Sequence, residues 1–206
     1  MKSIFSVLVF IVSISSSLAA STDKQSSAYL TFSREKNAVA NAIYNYITSN
    51  CPVIRVKKLK NYDKSIVLKG YYIDPESMRP YFYILTPTVH YKHNNSNITY
   101  IMVHLRYKLP DVLKTAKARE KLLKLTSNYL FFSSYPQKIV IYKDYIYLGS
   151  TFQVTENNPI PTKMIINSII GISINWPEYY KMLQKNFELP SKNNIPQARA
   201  KTSVAN

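Results

Sequence analysis

Glycine is almost missing from this chain: Gly70, Gly149 and Gly171 are its only three, and no two stand near each other. Phosphate-cradling loops need clustered glycines so that several backbone N–H groups can approach one anion, which excludes the common nucleotide enzymes. Cysteine is scarcer still. Cys51 stands alone, so neither an internal disulfide nor a thiolate-only metal centre can form, which leaves a buried inert thiol or a bond between chains. Acids are few, 11 against 27 Lys and Arg, and the net charge of +16 draws anions: nucleic acid, anionic lipid headgroups, acidic polysaccharide or an acidic protein. The one tight carboxylate group, Asp74-Pro75-Glu76, reads as a turn, and serine nucleophile elbows are absent.

What is present begins with MKSIFSVLVFIVSISSSLAAS. Lys2, an apolar run from Ile4 to Ile14 and the small residues Ser17-Leu18-Ala19 form the three parts of a secretory leader, expected over 1–19 with cleavage after Ala19. Its apolar core is short for a bilayer span, and every later apolar run is interrupted by Lys, Arg, Asn or Ser. The expected compartment is the periplasm or the exterior of a bacterial cell. The remaining length suits one domain of ordinary size.

Residues 20–32 read as a flexible polar segment, and 33–187 as the domain. Ser33 is the expected N-cap of a helix over 33–49, with Val39, Ala42, Ile43, Tyr46 and Ile47 on its apolar side. VIRVKKL, SIVLKGYYI, YFYILTPTVHY and ITYIMVHLRY then read as a meander of strands, the last two joined around Asn94–Asn97. In the last of them Thr99, Ile101, Val103, Leu105 and Tyr107 form the core face. A second helix is expected over 111–131 with Val112, Ala116, Leu123 and Leu130 inward. KIVIY and YIYLGSTFQV make a hairpin turning at Lys143-Asp144, and Ile165, Ile166, Ile169, Ile170 and Ile172 are expected to face the sheet from a third helix, although so many β-branched residues also suit a strand. Pro177 is expected to break or kink that helix, with Asn175 capping a last segment. Residues 188–206 read as a disordered basic tail. The fold class is α+β: a two-layer sandwich, antiparallel sheet with helices on one face, in the order helix, three or four strands, helix, two strands, helix.

The second half, with LTSNYLFF ending a helix, PQKIVIYKDYIYLGSTFQV as a hairpin and a helix after NNPIPTK, resembles the YbjN family and the type III secretion chaperone-like fold across roughly 105–185. The resemblance implies a non-enzymatic protein that contacts a protein partner, often as a homodimer. The leader and the basic charge depart from that pattern.

Candidate sites are sparse. His90, His93 and His104 do not converge on a strand pair, so no metal site is read from them. Lys114, Lys117, Lys121 and Lys124 recur at helical spacing, a solvated row that doubles as a possible anion-binding face. Tyrosines interleave with bases at Tyr71-Tyr72, Tyr142-Lys143 and Tyr145, which fits a single-strand nucleic-acid platform but equally an ordinary half-buried strand. Asn94-Asn95-Ser96 and Asn97-Ile98-Thr99 match the glycosylation sequon. The expected function is an exported, non-enzymatic adaptor without cofactors that binds a protein partner. The alternative is an electrostatic binder of nucleic acid, anionic lipid or polysaccharide, and a lesser one is a secreted ribonuclease using histidine as acid and base.

Overall fold

The computed structural model describes residues 28–60, 64–73, 80–86, 91–93, 96–132 and 137–189. The expected leader with Ala19, the Asp74–Glu76 turn, His90, Asn94 and the tail from residue 190 lie outside them.

The chain forms an α+β sandwich. Strands β2 (Ile54–Lys60), β3 (Ile66–Tyr72), β4 (Phe82–Leu85), β5 (Tyr91–His93), β6 (Ser96–Lys108), β7 (Lys138–Tyr142) and β8 (Tyr145–Thr155) make one antiparallel sheet. Its order is β2-β3-β4-β6-β8-β7, and β5 pairs with the start of β6. Helices α1 (Ala38–Asn50), α2 (Ala116–Phe132) and α3 (Thr162–Phe187) complete the layers. A second, two-stranded sheet pairs β1 (Tyr29–Leu30) with β9 (Ile160–Pro161), immediately before α3. The segment expected to be flexible over 20–32 is therefore structured at its end, because Leu30 is buried and its backbone has found a partner.

Register explains the core. Along β6 the residues Ile101, Val103 and Leu105 are buried, and the pairing aligns them with Ile84 and Phe82 on one side and Leu148 on the other. That face packs under α1, at β2 and β3, and under α3, at β3, β6 and β8, while α2 covers β7. Of the five isoleucines expected to face the sheet from α3, Ile165, Ile169 and Ile172 are fully buried, whereas Ile166 and Ile170 are only partly so.

Four local expectations need correction. Ser33 accepts a hydrogen bond from the Glu35 N–H at 3.1 Å, but α1 starts only at Ala38. Asn37, at φ 70°, stands before it and accepts from the Ile66 N–H at 2.7 Å, tying the helix start to β3. On α2 the inward residues are Leu122 and Thr126, with Leu130 partly buried against the core, whereas Val112, Ala116 and Leu123 are exposed. Val112 belongs to a separate 3-10 turn, Asp111–Leu113, ahead of the helix, and the stripe that turns inward is the one carrying Thr126 to the Tyr179 hydroxyl of α3. Finally, α3 runs through Pro177 without a break. Trp176, Tyr179 and Tyr180 are buried around it, and their packing outweighs the roughly 3 kcal/mol that an interior proline costs. Asn175 caps nothing; it is buried and donates to the Gln137 side chain.

Candidate functional site: the uncovered face of the sheet

Side chains alternate across a sheet, so the residues between the core positions emerge on the opposite face. Among the described residues no helix covers that face. Its central row crosses six of the seven strands: Lys57, Lys69, Tyr83, His104, Gly149 and Lys138 are successive cross-strand partners. Beside it Arg55 pairs with Tyr71, and Arg106 with Tyr147. One step further Lys108 pairs with Tyr145, itself opposite Tyr142. On the other flank the row is aliphatic: Leu59, Val67, Leu85 and Met102 align. The face thus has an apolar end and an aromatic–cationic end.

Among the described residues no strand contains a single Asp or Glu. The four ion pairs among the described residues, Arg34–Glu156, Lys114–Asp111, Arg119–Asp144 and Lys124–Glu120, all lie off this face. Its cations rest on rings instead. The Lys69 ammonium sits 4.4 Å from the Tyr81 centroid and 5.5 Å from that of Tyr83. The Arg106 guanidinium lies 5.0 Å from the Tyr145 ring and 5.8 Å from Tyr83. Such contacts contribute about 0.5–1 kcal/mol each at exposed sites and leave the positive charge uncancelled. Lys57 and Lys69 even face each other across β2 and β3, an arrangement that favours an anion between them.

His104 occupies the centre. Its ring stacks on Tyr83 at 6.0 Å and 26°, and lies 5.6 Å from Tyr147. Burial, and next the charge of Arg106, hold its imidazole below the ordinary range, against a backbone hydrogen bond at Met102 that acts the other way. At neutral pH it is therefore a third neutral ring. Gly149 beside it is required by close approach: a Cβ there would stand 2.0 Å from the Val103 carbonyl oxygen.

The predicted lysine row comes together only in part. Lys114 precedes α2 and pairs with Asp111 at 2.7 Å. Lys124 pairs with Glu120 at 2.9 Å, and Lys121 donates to the Asn186 carbonyl at 2.8 Å while covering the Phe187 ring. Lys117 is exposed. His93 and His104 are far apart, since β6 pairs His93 with Ser96 and His104 with Tyr83. No group of three His, Cys, Asp or Glu able to hold a metal occurs among the described residues. Asn97 donates to Glu156, and Cys51 is a free, half-buried thiol whose pKa is raised by burial. No described helix is long and apolar enough to cross a membrane.

The interleaved tyrosines turn out to be divided. Tyr71, Tyr142 and Tyr145 are on the open face, whereas Tyr72, opposite Ile54, is on the core face. Arg106, Lys69, Tyr83 and Tyr147 were not singled out from the sequence. The signal was present in the strand segments, which hold bases and rings at alternate positions and no acid at all.

No family model matches this chain, and no curated protein matches it.

Proposed function

We propose that this protein is an exported, non-catalytic binding module whose working surface is the uncovered sheet face and whose ligand is an anionic polymer. The observation that carries this is the pair of cations Lys69 and Arg106 at the middle of that face, held on tyrosine rings and paired with no carboxylate among the described residues. An anion reaching these two displaces no described acid, whereas one reaching the α2 row must compete with Asp111 and Glu120.

The test is binding of a polyanion across a salt series. Affinity should fall steeply as salt rises, and replacing Lys69 and Arg106 together by Gln should weaken binding about tenfold or more and flatten the slope by roughly two released ions. Replacing Lys114, Lys117, Lys121 and Lys124 by Gln should have the smaller effect. Salt-insensitive binding, or a larger loss from the helix row, overturns the assignment of the face.

A polypeptide partner, the role that the YbjN resemblance implies, is the second reading. It is favoured by β7, which ends the sheet among the described residues with Val140 and Tyr142 exposed, an edge suited to strand addition. A second copy joining there would appear as a dimer mass that Val140→Lys abolishes.

A further inference from the structure

Charge alone does not account for the open face, because its centre is built of rings. Tyr83, His104 and Tyr147 stand on the neighbouring strands β4, β6 and β8, each half-buried and so partly open to solvent. Tyr83 and His104 are within 26° of parallel, and His104 is 5.6 Å from Tyr147. Cations are interleaved with this cluster rather than gathered beside it: Arg106 lies between the Tyr83 and Tyr145 rings, and Lys69 between Tyr81 and Tyr83. Ring and positive charge therefore alternate within a few ångströms, the scale on which base and phosphate alternate within one nucleotide.

We propose that the anionic polymer is single-stranded nucleic acid, its bases stacking on the Tyr83–His104–Tyr147 cluster while Lys69 and Arg106 meet its phosphates. This rests on the polyanion reading of the same face and narrows it. A duplex keeps its base faces within its own stack and would offer this flat surface only phosphates, leaving the rings unused. Polyphosphate and lipid headgroups bring charge without rings, and an acidic polysaccharide can lay only the C–H face of a sugar on a ring. Unpaired bases bring π faces together with phosphates, and base–aromatic stacking is tolerant of sequence because every base has such a face.

The experiment is fluorescence anisotropy with the full chain at low salt. Its probes are a labelled oligothymidylate of about 16 residues, a duplex of the same length, and polyphosphate and polygalacturonate as competitors of equal charge. The oligothymidylate should bind about tenfold or more tighter than each of the others. Replacing Tyr83 and Tyr147 together by Leu should weaken it about tenfold or more while leaving polyphosphate within about twofold; Phe at both positions should preserve binding. The Phe variant also guards against misfolding, since it keeps ring and packing. If duplex, polyphosphate or polygalacturonate binds as tightly as the oligothymidylate, or the Leu variant weakens all probes alike, the nucleic-acid inference is overturned and the polyanion reading stands. If no polyanion binds at low salt, both fall.

Discussion

Under the helices, tyrosine is closed off on every side. Tyr179 is fully buried, its hydroxyl 2.7 Å from that of Thr126, and burial pushes that phenol up to about 12. Tyr107 and Tyr180 pack edge to face at 5.7 Å with Trp176 against both, and burial also raises the Tyr107 phenol strongly. On the other side of the same strands, Tyr81, Tyr83 and Tyr145 have cations for neighbours and solvent above. One residue type thus does two jobs, and the neighbour decides which. Ring against ring with a bonded hydroxyl is a core; ring against ammonium with nothing beyond is a surface prepared for something else.

The sharpest way to break this contrast is to cut adjacent residues of one strand. Phe82 and Tyr83 point to opposite faces of β4, the first fully buried. Phe82→Ala should lower stability by about 3–5 kcal/mol in urea unfolding. Tyr83→Ala should lower it by only about 1–2 kcal/mol, mostly lost cation–π contact. Equal losses would mean that the second face is also structural. Next in size is Gly149→Ala. Its methyl meets backbone rather than a movable side chain, so a loss of about 1–3 kcal/mol is expected, and the displaced strands should weaken binding as well.

The smallest effect is a pH dependence. Above about pH 6.5, the ordinary value for histidine, His104 is neutral whether the chain is folded or not. As pH drops below that, the unfolded chain takes up the proton first, because the folded pKa is lowered. Stability should therefore decline from about pH 6.5 down through the folded value, and His104→Gln should flatten that part of a stability–pH curve. Polyanion affinity should rise over the same interval as the ring gains charge, which separates a role in binding from one in folding alone.

Much of this architecture is legible in the residues, for identifiable reasons. The alternation along Thr99–Tyr107 and the paired runs around Lys143-Asp144 are period-two patterns with a clear turn between them, and burial on one face enforces that register. What is not legible is non-local. Which stripe of α2 turns inward depends on contacts with β7 and Tyr179, and the unbroken α3 depends on packing around Pro177. The site is intermediate: the sequence displays tyrosines among lysines, but only cross-strand register places Lys69, Tyr83 and His104 in one line, drawn from segments spread over the chain. The Lys114–Lys124 row, obvious from spacing, is largely engaged with the chain's own acids and carbonyls.

The small β1–β9 ribbon has a consequence for timing. Tyr29–Leu30 is made early, yet its partner Ile160–Pro161 comes some 130 residues later. At a synthesis rate of about 5–20 residues per second, that strand waits several seconds for anything to pair with. The first described strand is thus among the last to be seated, and the front of the domain can lock only after more than three quarters of the chain has been made.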